Sequence, residues 1–93
     1  MYNLTFRWAS YRGDCELFLK TINCDRNIHA NVVFQDGNTP MHYCAYYNNK
    51  QLCILLCKLK VQQTKNFLNW KPLHIAAYLN NSEIVNILCK QLK

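Results

Sequence analysis

The sequence predicts an all-α chain built as a stack of helix pairs, and three observations lead there. The first is an internal repeat. Pro-Met-His-Tyr-Cys-Ala-Tyr-Tyr-Asn-Asn at 40–49 returns as Pro-Leu-His-Ile-Ala-Ala-Tyr-Leu-Asn-Asn at 72–81, an offset of 32 residues. The offset holds downstream, where Leu52, Cys53, Leu55, Leu56, Cys57 and Lys58 align with Ile84, Val85, Ile87, Leu88, Cys89 and Lys90. Self-similarity at a period between about twenty and fifty residues marks architectures in which stacked units bury a continuous core. The second is the spacing of apolar residues in 50–59 and 84–92, close to i, i+3, i+4, i+7, which gives each unit a helix with one buried face. The third is punctuation: Thr39-Pro40 opens a helix, and Asn48 and Asn80 stand where two helices must be joined by a turn.

Pro-x-His-x-x-Ala at Pro40–His42–Ala45 and again at Pro72–His74–Ala77, each followed by a short turn and a second apolar helix, resembles the ankyrin repeat. The resemblance covers about 6–92. It implies a single domain over 1–93, an ankyrin-type solenoid of helix pairs with projecting hairpin or loop fingers. The units expected are a degenerate N-terminal capping repeat at about 3–34, a second repeat at about 35–66 and a third at about 67–93.

In chain order, 6–22 is the degenerate unit, with Phe6–Asp14 aligned on Met41–Asn49 at an offset of 35 and Leu17 on Leu52. Gly13 falls where the chain reverses, a place for left-handed backbone. Asp14 is positioned to cap a helix over about 15–21. The connection 23–38 has β character in Ile28, Val32, Val33 and Phe34 and closes on the turn residues 35–38, which in ankyrin-like proteins is the finger. Thr39 can cap the next helix through its hydroxyl, and Pro40 suits the first helical position because its missing N–H would have no partner there. His42 lies one turn inside, within reach of Thr39. In the family this histidine is structural, which implies the same for His42 and His74. Ala45 and Ala77 are small where two helices approach closely. The helix over 50–59 is expected to bury Leu52, Cys53, Leu55, Leu56 and Leu59. The second connection, 60–69, is more polar, with Asn69 in the place of Gly37. Lys71 replaces the capping threonine, a loss of about 1 kcal/mol. In the last helix Ser82 is expected as cap, Glu83 and the lysines Lys90 and Lys93 suit the helix dipole, and Ile84, Val85, Ile87, Leu88 and Leu92 form the buried stripe.

A hydrophobic content of 51% in 93 residues argues for a packed fold rather than disorder. No apolar run reaches the roughly eighteen residues of a membrane-spanning helix, and 1–10 lacks the layout of a signal peptide. A cytoplasmic or nuclear chain is therefore expected, its six cysteines reduced. Cys44, Cys53, Cys57 and Cys89 fall at apolar repeat positions and read as small hydrophobes. The best metal arrangement, His42 and Cys44 with Cys53 and Cys57, lacks the close Cys-x2-Cys knuckle of structural zinc sites, and no metal or other cofactor is expected. Net charge is +6, and no carboxylate lies between Asp36 and Glu83, where Lys50, Lys58, Lys60, Lys65 and Lys71 occur. With about three units, one of them degenerate, stability is expected to be marginal or aided by a partner or weak self-association.

No catalytic group is expected. Two of the three histidines serve the fold, the five carboxylates are scattered, and no phosphate loop, nucleophile elbow or His-Glu-x-x-His motif is present. A non-catalytic protein-binding module is the leading reading, its ligand held by the concave helix face and the finger tips. The residues expected there are Tyr11, Arg12, Tyr46, Tyr47, Tyr78 and Leu79 on the first helices, Gln35, Asp36 and Asn38 on the first finger, and Phe67, Leu68 and Trp70 on the second. Tyrosine, tryptophan and arginine are the residues that dominate interface hot spots. Two alternatives stand beside it. One is electrostatic binding of nucleic acid or an anionic membrane through the Lys50–Lys71 region. The other is a competitor that mimics a larger ankyrin-like regulator, such as a transcription-factor inhibitor.

Overall fold

The computed structural model of the chain describes residues 4–24, 32–34 and 36–91. Six helices lie among them: α1 (Leu4–Arg12), α2 (Cys15–Cys24), α3 (Pro40–Tyr47), α4 (Lys50–Lys58), α5 (Pro72–Tyr78) and α6 (Ser82–Gln91). They form three consecutive pairs. The first helices make one layer, α1 against α3 and α3 against α5, and the second helices make another, α2 against α4 and α4 against α6. No strand occurs among the described residues.

Each pair turns on a residue in left-handed backbone. Gly13 has φ +71°, and the equivalent Asn48 and Asn80 have φ 58° and 61°. Asparagine follows glycine in tolerance of this region, so the turn survives the substitution. At Gly13 a β-carbon would lie 2.5 Å from the Asn49 side chain, so it is space more than φ that calls for glycine there. Asp14 caps α2, its Oδ1 accepting from the Leu17 N–H at 3.1 Å. That helix runs three residues further than the sequence spacing predicts, to Cys24.

The core is a seam between the layers. Ala9, Phe18, Met41, Leu52, Leu56, Ile84 and Leu88 are fully buried. Each large apolar side chain in it contributes about 1.5–3 kcal/mol by leaving water. Three expectations fail at this level. Leu59 follows α4 as its C-cap and is exposed, because the helix stops at Lys58 before the apolar stripe comes round again. Cys89 and Ala77 are exposed, whereas their equivalents Cys57 and Ala45 are half-buried and buried. Ala45 is covered by the third pair, and no described element covers Ala77. Ser82 is the first residue of α6 and Asn81 precedes it, so the expected serine cap is one residue out of place. Leu92 and Lys93 lie outside the described residues.

The pairs are tied by one recurring contact. The second residue of each turn reaches back to the preceding first helix: Asn49 Nδ2 donates to the Tyr11 carbonyl at 3.3 Å, and Asn81 Nδ2 to the Ala45 carbonyl at 2.8 Å. Lys50 and Glu83 add an exposed ion pair at 2.8 Å, worth little in water. Gln63, in the second connection, donates to the Leu88 carbonyl and accepts from the Leu73 N–H, and Gln91 Nε2 donates to the Val61 carbonyl.

Both fingers end in the same tight turn. Gly37 N–H donates to the Phe34 carbonyl and Phe34 N–H to the Asn38 carbonyl, each at 2.9 Å. Asn69 with Asn66, and Asn66 with Trp70, repeat the pattern at the same distances. Gly37 has φ +84° and Asn69 +66°. The hairpin expected in the first finger falls largely on residues outside the described set, Ile28, His29 and Gln35 among them.

Candidate functional site

The layer of first helices carries the aromatic side chains, one set per helix. α1 presents Trp8 and Tyr11, α3 presents Tyr43, Tyr46 and Tyr47, and α5 presents Tyr78. Equivalent tyrosines recur at positions 11, 46 and 78 because the repeat recurs, and all three are exposed, at 43%, 57% and 77%. The rings contact one another in two groups, one on α1 and α3 and one between α5 and the second finger. Trp8 stacks on Tyr11 with centroids 6.2 Å apart, Tyr11 meets Tyr47 at 4.4 Å, Tyr47 meets Tyr46 at 4.9 Å, and Trp70 of the second finger stands edge-on to Tyr78 at 5.5 Å. The Arg12 guanidinium sits 5.5 Å from the Trp8 ring centroid, a cation–π contact at one end of the row.

Three depressions run along this face and share walls. The first, about 280 Å3, lies among Tyr11, Asp36, Asn38, His42, Tyr43, Tyr46, Tyr47 and Ile75. The second, about 270 Å3, takes Asn38, Tyr46 and Ile75 from the first and adds Asn66, Leu68, Trp70, Tyr78 and Leu79. The third, about 380 Å3, continues past Trp70 and Tyr78 to Asn69, His74 and Ala77. Together they make a groove. Among the described residues no lysine or arginine lines it.

The floor is held by His42. Thr39 Oγ1 accepts from the His42 N–H at 3.4 Å, and the Thr39 N–H donates to His42 Nδ1 at 3.1 Å. His42 Nε2 lies 2.8 Å from the Trp70 carbonyl. Nδ1 accepts and Nε2–H donates, which fixes the neutral tautomer and ties the second finger to α3. Burial lowers the His42 pKa below the ordinary 6.5, and the Trp70 carbonyl and Asp36 oppose that only in part. His74 accepts from the Lys71 N–H at 3.1 Å in the same way. A lysine side chain has no acceptor, however, so the hydroxyl half of this cap is missing, as the sequence predicts.

The fingers interlock at the rim. Asn66 Nδ2 donates to Asn38 Oδ1 at 2.9 Å, while Asn66 Oδ1 accepts from the N–H groups of Leu68 and Trp70. The Phe67 ring lies over Gly37, where a β-carbon would be 2.4 Å from it. The Tyr43 hydroxyl donates to Asp36 at 2.5 Å. The Tyr47 pKa is pushed up to about 12, first by its hydrogen bond with Tyr11 and then by burial.

Most of the residues expected at a site thus gather on one face. Tyr11, Tyr46, Tyr47, Leu68, Trp70, Tyr78 and Leu79 line the groove, and Arg12 stands at its end. Asp36 and Asn38 line it too, but each is engaged in holding the fingers. Phe67 packs over the neighbouring finger while staying 75% exposed. Gln35 is outside the described residues. Sequence reasoning missed Trp8, Tyr43, Asn66 and Ile75. Trp8 could have been found from its spacing, three residues before Tyr11 on one helix face. Asn66 gave no signal, since its role depends on a turn whose partners are distant in sequence.

Two of the thiols pack in the core. Cys44 and Cys53 are buried; burial pushes Cys44 well above its ordinary value and Cys53 up to about 12. Among the described residues no group of three or more His, Cys, Asp or Glu is placed to hold a metal. No described helix is long and apolar enough to cross a membrane.

Comparison with known proteins agrees with the architecture. A family model for ankyrin repeats in three copies matches residues 6–93. No curated protein matches the chain. The matched span is nearly the whole sequence, and the helix pairs, the Pro-x-His helix start and the left-handed turns recur within it: the chain belongs to the ankyrin repeat family.

Proposed function

We infer that this ankyrin-repeat chain binds a protein partner along the groove of its first helices, without catalysing a reaction. Ankyrin repeats are in general protein–protein interaction modules. What supports the groove as the contact surface is one observation: the same exposed tyrosine recurs on the first helix of all three pairs, and the last of the three meets the finger tryptophan edge-on. Exposed contiguous apolar surface of this kind marks interaction sites, and Tyr, Trp and Arg are the side chains from which hot spots are built. A core position would have been buried by the stack, as Ala9 and Ala45 are.

The test is affinity capture from extract of the source cell. The chain and its Tyr46→Ala/Tyr78→Ala variant are compared as bait, with the captured proteins identified by mass spectrometry. Both tyrosine side chains point outward, so helical content by circular dichroism is expected to stay the same. Specific capture is expected on the native chain and at least tenfold less on the variant. Equal capture by both would refute the groove as the binding surface.

A further inference from the structure

Resting on the partner-binding reading above, we propose that the groove takes an uncharged, proline-rich segment lying along it as a polyproline II helix, with a proline at every third residue. Spacing, hydrogen-bonding capacity and charge point the same way.

The spacing comes from the repeat itself. Tyr11, Tyr46 and Tyr78 occupy equivalent positions on α1, α3 and α5, which pack side by side. Neighbouring packed helices lie about 8–10 Å apart. A polyproline II helix brings the same face round every three residues, about 9 Å at roughly 3.1 Å per residue. One proline ring per tyrosine is therefore in register with the stack. A β-strand repeats its face at about 6.8 Å and falls out of step. With a longest dimension of 33 Å, the chain has room for about ten residues in this conformation.

Hydrogen bonding separates polyproline II from an α-helix laid in the same groove. An α-helix satisfies its own backbone, whereas polyproline II has no internal hydrogen bonds and presents every carbonyl outward. The groove offers the matching donors. The Trp70 indole N–H, a donor only, forms no hydrogen bond with the described residues, and the Tyr46 and Tyr78 hydroxyls likewise have none. Aromatic walls with such donors are the general means by which proline-rich segments are held.

Charge argues for the same occupant. In a chain of net charge +6 the described residues that line the groove include no lysine or arginine, and the carboxylate among them, Asp36, is engaged by the Tyr43 hydroxyl. A nucleic-acid strand needs cations beside its phosphates, and no described lysine or arginine lines this groove. An uncharged peptide complements it.

The test uses the full chain and four synthetic probes: a ten-residue uncharged peptide with proline at every third position, a ten-residue peptide of the same composition with the same number of prolines grouped two residues apart, an uncharged helix-forming peptide, and an oligothymidylate. Binding is followed by NMR, reading the Trp70 indole N–H resonance and the tyrosine ring signals. The first peptide is expected to bind at least tenfold tighter than each of the other three. It is expected to lose at least tenfold on Tyr46→Ala and on Trp70→Phe, the latter keeping a ring but not the N–H. Equal affinity for the two proline spacings, tighter binding of the helical peptide or the oligonucleotide, or no binding of the first peptide overturns the proposal. Loss of the proposal through a tighter helical peptide leaves partner binding in the groove intact, whereas equal capture by the native chain and the double variant removes both.

Discussion

His42 shows how one residue joins fold and site. Its ring is buried with Nδ1 as an acceptor, so protonation would set an N–H against the Thr39 N–H and leave the cap without its acceptor. The folded state lowers the His42 pKa below the unfolded 6.5. In the window below 6.5 the unfolded chain therefore binds more protons, so stability is complete above that pH and is lost as pH falls toward the folded value. Denaturant midpoints are expected to drop between pH 7 and pH 5, and a His42→Gln variant is expected to lose most of that dependence. Equal midpoints at the two pH values in the native chain would contradict it. Gly37 makes the companion case. Both its φ of +84° and the Phe67 ring over it exclude a β-carbon, so Gly37→Ala is expected to destabilise by more than about 1 kcal/mol in chemical denaturation.

Among the elements, α5 is the one whose start is weakest. Its histidine is present and its proline is at the first position, but Lys71 leaves the hydroxyl half of the cap unmade. Lys71→Thr is expected to raise stability by about 1 kcal/mol, measured as a shift in the urea midpoint at unchanged slope. These features were legible in the sequence because capping is local chemistry: Thr39, Pro40, His42, Asp14 and the left-handed Gly13 and Asn48 each act within a few residues. Leu59 and Ser82 were misplaced by one or two positions, where helix ends depend on how far packing carries the chain. Cys89 was read as a packed small hydrophobe from its repeat position and Ala77 as a point of close helix approach, yet both are exposed. Equivalence in sequence carries over the residue and not the neighbour that covers it. The finger contacts were the least legible: Asn66 to Asn38, His42 to the Trp70 carbonyl and Phe67 over Gly37 each join residues about thirty apart.

At the scale of the molecule, the stack sorts side chains by layer. Second helices supply Leu52, Leu56, Ile84 and Leu88 to the core, and first helices turn Tyr11, Tyr46, Tyr47 and Tyr78 outward along a groove closed at its rim by the second finger. The tyrosine row could be read from the repeat alone, since a stripe at a fixed place in every unit must share a face. The contact of Tyr78 with Trp70 could not, because that depends on how the finger folds back. The basic excess lies outside the groove, so partner binding is expected to change less than threefold between 50 and 200 mM salt. A fall of a hundredfold or more would indicate phosphate contacts through the Lys50–Lys71 region instead.

The most direct measurement is a random-peptide display selection on the native chain, with each enriched clone titrated against Tyr46→Ala/Tyr78→Ala. A groove that serves as the binding surface predicts clones that bind the native chain and lose at least tenfold in affinity on the variant. Clones that bind the two equally well would contradict it.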